Sequence, residues 1–201
     1  MALINPHFKT LFVHVYKTGG TSIRKYIGGY EVSDSHATAR VVKYNILSYT
    51  QENIWESYFK FAVVRNPYDL LISLHYHLLN QPGHLFSKYA TDNINDFIDL
   101  LPFLFKNSNF NGYMFFAPQY EWVSDDNGVI IDKVYKFSCM DSLYTDLDRI
   151  TGGNSRPFLN ISKNRDRNIP FNDIYSTDSI NIINELYSVD FMKFGFEKIC
   201  A

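Results

Sequence analysis

Apolar residues fall in short blocks whose spacing changes along the chain. Leu11–Val15 is a continuous apolar run, and Thr10–Val15 reads as a buried strand. A glycine-rich turn follows, then a short helix over Thr21–Ile27. His36–Tyr58 is mixed and mostly helical in pattern. Phe59–Val64, "FKFAVV", reads as a second short buried strand. Asn66-Pro67-Tyr68-Asp69 then opens a helix, with Asn66 as cap and Pro67 at the first helical position. Leu70, Leu71, Leu74 and Leu78 give that helix its apolar stripe. Ile94–Phe105 predicts a further helix, and Val129–Phe137 a strand after the turn signal Asp126-Asn127-Gly128. Met140–Ile150 is helical and stops at Gly152-Gly153. Ile180, Ile183, Tyr187 and Phe191 form a last helical stripe ended by Gly195. Strands that alternate with helices predict an α/β fold with a mostly parallel central sheet flanked by helices. The 201 residues carry no internal repeat and no linker-like tract, so one domain over 1–201 is expected.

Composition narrows the function classes. Apolar residues make up 46 % and charged residues 20 %, the profile of a globular chain. The net charge of −2 gives no basic field for nucleic acid or an anionic membrane. Aromatics reach 17 % but are scattered, which fits a Phe/Tyr-rich core better than a stacking platform. Two cysteines, Cys139 and Cys200, make neither a disulfide framework nor a CxxC metal site. The start, "MALINPHFKTLFVHVYK", lacks the basic-then-apolar order of a signal peptide, and no run of about 18 apolar residues predicts a membrane span. A soluble cytoplasmic protein is the expectation, and the sequon at Asn160 is discounted with it.

In parallel sheets ligands bind beyond the carboxyl ends of the strands, and two such ends carry suggestive residues. The first is "KTGGTS", Lys17–Ser22. Unpaired N–H groups at a helix start suit an anion, and Gly19-Gly20 lets the backbone come close to it. Thr18, Thr21 and Ser22 add hydroxyls and Lys17 adds a charge. No glycine precedes Lys17, so the pattern is not the GxxxxGK[ST] loop that wraps a triphosphate with Mg²⁺. A single phosphate fits better. The second end places Arg65 after a strand and Ser73 about two turns into the next helix, a planar fork and a hydroxyl for a second anion.

Together, "FVHVYKTGGTSI" and "FKFAVVRNPYDLLISLHYH" closely resemble the carbohydrate-type sulfotransferases that use 3′-phosphoadenosine 5′-phosphosulfate (PAPS). The resemblance continues in His36–Arg40, Ala117–Phe137, Phe158–Asn164 and Ile174–Glu197, so it spans nearly the whole chain in order. It implies a P-loop-like three-layer α/β fold. It also implies that Lys17, Thr18, Gly19, Gly20, Thr21 and Ser22 hold the 5′-phosphosulfate, while Arg65 and Ser73 hold the 3′-phosphate. Tyr16 stands where that family usually has Pro, and Leu70 where a basic residue is frequent.

Sulfuryl transfer is an in-line displacement governed by positioning and electrostatics, so no metal need be invoked. Lys17 is placed to meet charge on the leaving 5′-phosphate. His36 is the candidate general base, since the equivalent stretch in related glycan sulfotransferases carries a catalytic His and its ordinary pKa near 6.5 suits proton abstraction. The alternative for His36 is a surface or capping role. His14 lies inside the first strand and reads as a buried, hydrogen-bonded His; His75 and His77 read as core or solvated. Gln119 and Trp122 either meet a sugar or pack a loop, and Lys163, Arg165 and Arg167 either meet an anion or form a solvated face. The implied acceptor is a glycan or glycolipid hydroxyl, with no nucleic acid partner. Two other readings remain: an inactive protein of the same fold that binds PAPS or its product 3′,5′-bisphosphate, and a small-molecule kinase.

Overall fold

The structure is a computed structural model, and it describes residues 2–32, 37–49, 53–107, 110–153 and 169–200. His36, Asn160 and the cluster Lys163, Arg165 and Arg167 lie outside those residues. The chain packs as two compact units, Met1–Arg65 with Gln119–Ile161 and Asn66–Pro118 with Ser162–Ala201.

The first unit is built on a five-stranded sheet. Its elements in chain order are β1 (Ala2–Asn5), β2 (Thr10–Val13), α1 (Gly20–Ile27), β3 (Tyr30–Glu31), α2 (Ala39–Tyr49), α3 (Ile54–Ser57) and β4 (Phe59–Val64). After the second unit's first helices, α4 (Pro67–Leu79), α5 (Ile94–Asn107) and α6 (Phe110–Phe116), come α7 (Tyr120–Val123), β5 (Ser124–Asp125), β6 (Gly128–Val129), β7 (Lys133–Lys136) and α8 (Met140–Thr151). The strand order is β3-β1-β2-β4-β7. β2 pairs parallel with β4, and β4 with β7, while β1 is antiparallel to both its neighbours. Four of the five strands therefore run the same way, and the expected mostly parallel sheet is present.

β2 and β4 are buried on both faces, which is why they read as unbroken apolar blocks rather than alternating ones. On one face Leu3, Phe12, Phe61, Val63 and Tyr135 meet Ile23, Tyr26 and Ile27 of α1 and Leu143, Tyr144 and Leu147 of α8. Phe12 and Phe61 are direct register partners and stack with centroids 5.1 Å apart. Each such fully buried side chain contributes about 1.5–3 kcal/mol over leaving it in water. On the other face Lys60, adjacent to Phe61 and so pointing the opposite way, sets its ammonium 5.6 Å from the Trp55 ring of α3. Helices thus cover both faces, giving a three-layer α/β fold.

The structure shortens or splits several expected elements. β2 ends at Val13, two residues early, because the backbone turns there towards the loop. The expected strand over Val129–Phe137 is two: β6 pairs with β5 in a separate hairpin, and β7 joins the main sheet. Within the second unit, Asn66 caps α4 by accepting the Tyr68 N–H, and Pro67 opens it. Leu70, Leu71, Leu74 and Leu78 are all buried, so Leu70 belongs to the apolar stripe. The last stripe is divided between α10 (Thr177–Leu186) and α11 (Ser188–Phe194), which follow the short α9 (Phe171–Ile174). Tyr187 breaks it, fully buried, with its hydroxyl donating to the Phe116 carbonyl at 2.6 Å. Among the described residues, no helix is long and apolar enough to cross a membrane.

Candidate active site

The loop between β2 and α1 is shaped by its own backbone. Lys17 and Gly19 both take left-handed conformations, at φ 59° and 81°. The Thr18 hydroxyl donates to the Val15 carbonyl at 2.9 Å and is fully buried, so what Thr18 can offer an anion is its backbone N–H. Gly19 begins the helix with no side-chain cap; the Ser22 N–H turns back to the Gly19 carbonyl at 3.0 Å. An eight-residue helix thus starts with N–H groups that a bound anion suits. Thr21 is exposed beside them and Ser22 is buried.

Two rings fix where the loop can go. The His14 imidazole lies against Gly20, where an added β-carbon would sit 2.0 Å from Nε2. His14 is largely buried and stacks on Phe12, so the burial expected of it is present. Phe137 lies against Gly19, where a β-carbon would come within 3.0 Å of Cε2. Tyr16 packs edge-on against the buried Trp122, with centroids 5.3 Å apart. That contact gives the residue in place of the usual proline a packing role.

Arg65, at the end of β4, reaches this loop. Its Nη1 donates to the Lys17 carbonyl at 3.0 Å, and its guanidinium carbon stands 4.6 Å from the Phe137 centroid. Gln119 brackets its backbone: the Arg65 N–H donates to Oε1 and Nε2 donates to the Arg65 carbonyl, each at 2.7 Å. Gln119 is completely buried and Trp122 nearly so, which assigns both to packing rather than to a sugar. Burial first, then the charge of Arg65, lowers the pKa of Lys17 from the usual lysine value.

Gln119→Leu therefore strands two buried backbone groups. At about 1–3 kcal/mol each, and about 2–4 °C per kcal/mol for a chain of this size, the melting temperature is expected to fall by roughly 4–24 °C. A thermal scan showing no fall would remove Gln119 from this bracket.

The structure brings Lys17–Ser22 and Arg65 together in one unit. Ser73 lies in the second unit, half-buried on α4. His75, on the same helix, is buried with Nε2 2.7 Å from the Thr91 carbonyl, a core role. His77 sits with its ring centroid 5.8 Å from that of His84. Residues the sequence did not single out are Phe137, which backs Arg65, and His14 as the ring beneath Gly20. No periodicity marks either, since both contacts join segments distant in sequence or fold back across a turn.

No curated protein and no solved structure matches the chain. A family model described as the sulfotransferase family matches residues 1–197, across both strand ends and both units. With that match over nearly the whole chain, and with the Lys17–Ser22 loop and Arg65 of its two strand ends joined by a hydrogen bond, the chain belongs to the sulfotransferase family.

Proposed function

We propose that the chain is a single catalytic domain that transfers the sulfuryl group of PAPS to a hydroxyl of a glycan or glycolipid. The observation that carries this reading is the junction of the two motifs, the Arg65 guanidinium on the carbonyl of Lys17 at the head of an uncapped helix. The residues fit a small anionic group: helix N–H groups with no side-chain cap, a half-buried lysine and no carboxylate among the loop residues. Bound there, PAPS supplies a sulfuryl group activated by its 5′-phosphate leaving group. Backbone N–H groups at Gly20 and Thr21 and the hydroxyls of Thr21 and Ser22 would bind its 5′ oxygens. Lys17 would offset charge on the departing phosphate oxygen. Arg65 and Ser73 would take the 3′-phosphate, and His36 the proton of the acceptor hydroxyl. The acceptor class rests on the likeness to carbohydrate sulfotransferases.

The test compares thermal shifts with adenosine 3′,5′-bisphosphate and with ATP plus Mg²⁺, followed by transfer of labelled sulfate to a glycan and glycolipid panel. Stabilisation by the bisphosphate and labelling of a panel member are expected, with His36→Ala abolishing transfer but not binding. Preference for ATP would overturn the reading in favour of a kinase. Bisphosphate binding without transfer to any acceptor would leave an inactive binding protein in its place.

A further inference from the structure

Lys17 sits in a left-handed conformation that a β-carbon makes unfavourable, with φ at 59°. Such a turn persists only where its surroundings hold it. The group that meets its carbonyl is Arg65 Nη1, at 3.0 Å. Arg65 is itself held from two sides. Gln119 clamps its backbone through two hydrogen bonds of 2.7 Å. Phe137 stacks under its guanidinium at 4.6 Å, and the same ring abuts Gly19 within the loop. Arg65 is 7 % exposed, so this contact is formed largely away from water, where a cation over a ring is stronger.

We infer that Arg65, locked by the face of Phe137, is a positioning residue for Lys17: it holds the turn that presents the lysine to the anion. This goes beyond the 3′-phosphate role that the resemblance gives Arg65. Its effect on turnover rests on the sulfuryl-transfer reading; its geometry does not. One N–H of the guanidinium fork serves the loop, and the planar group stacks, so a lysine at 65 would replace neither function. The lowered proton affinity of Lys17, caused first by burial and second by Arg65, accords with two cations kept close.

The experiment follows the lysine side-chain carbons of the full chain by NMR across alkaline pH, without nucleotide, with Lys17 assigned through Lys17→Arg. Wild-type Lys17 is expected to titrate below ordinary lysines. In Phe137→Leu and in Arg65→Gln it should return towards them, while Phe137→Tyr keeps the wild-type titration. In turnover, Phe137→Leu should lower kcat about tenfold, the scale of one cation–π contact, with KM for PAPS changed less than about threefold. Phe137→Tyr should restore kcat. A Phe137→Leu protein with unchanged Lys17 titration and kcat would overturn the inference, as would a raised KM at constant kcat. If Phe137→Leu does not fold, an unchanged Lys17 titration in Arg65→Gln overturns it. Absence of sulfate transfer by the wild type defeats the sulfuryl-transfer reading, while the nucleotide-free titration still judges the link between Arg65 and Lys17.

Discussion

Lys17→Ala is expected to slow sulfuryl transfer by about 10²–10³-fold, by analogy with loss of one donor to a developing oxyanion. Adenosine 3′,5′-bisphosphate should bind the variant nearly as well as the wild type. The reason is a division of labour within the loop. On the sulfuryl-transfer reading, the uncapped helix N–H groups and the hydroxyls of Thr21 and Ser22 would contact the anion alike before and after reaction, which is uniform binding. The ammonium matters most where charge grows on the leaving oxygen. Its protonation sets a pH limit as well. Burial and Arg65 lower the Lys17 pKa, so the proton is lost below the ordinary lysine range as pH rises, and kcat/KM should fall through that lowered value. A bound anion favours the protonated form, so the limb in kcat should lie at higher pH than the limb in kcat/KM. Lys17→Arg should move both limbs upward, since a guanidinium does not titrate there. Steady-state kinetics with a bisphosphate titration checks all of this. A loss of affinity as large as the loss of rate, with kcat preserved at saturation, would remove Lys17 from the leaving-group role.

Where chemistry is written locally, the sequence was legible. "FKFAVV" became β4 with the same bounds, and Asn66-Pro67 capped α4 as its residue types require. The loop Lys17–Ser22 was recognisable because glycine, hydroxyl and charge lie within six residues. Elements too short to show a period were not legible. β1 has four residues, "ALIN", and exists because it pairs with β2 across a four-residue turn. The β5–β6 hairpin has two residues a side. Nothing local signals the break at Tyr187, which arises from burial of its ring and a bond to Phe116. Roles that depend on distant partners were hidden too. Gln119 looked equally suited to a sugar, and only its position across the Arg65 backbone shows why an amide, which can donate and accept at once, is needed there. Phe137 reads as another aromatic in a Phe-rich chain until β7 carries it to the loop.

Gly20→Ala should abolish measurable bisphosphate binding while the sheet still folds. The two loop glycines are constrained for different reasons, and magnitudes separate them. Gly19 is left-handed, so alanine there carries a backbone penalty of about 1–2 kcal/mol, and Phe137 would have to give a few tenths of an ångström. Gly20 is already helical, where alanine is ordinarily favoured by about 1 kcal/mol. Propensity alone therefore predicts stabilisation at position 20. The His14 ring reverses the sign. A β-carbon would lie 2.0 Å from Nε2 and 2.1 Å from Cδ2, inside any contact distance, and the ring is packed between Phe12 and the loop. Overpacking of this kind costs about 1–3 kcal/mol, and here relief comes by displacing either a buried imidazole or the first turn of α1. The second would disrupt the N–H groups proposed to hold the anion. The melting temperature should drop by roughly 2–10 °C, and the bisphosphate should no longer raise it. His14→Ala removes the obstacle, so the double variant His14→Ala/Gly20→Ala should bind better than Gly20→Ala alone, with a favourable coupling of about 1–3 kcal/mol in the stability cycle. Additive losses in that cycle, or normal binding by Gly20→Ala, would show that the histidine does not set the floor of the loop.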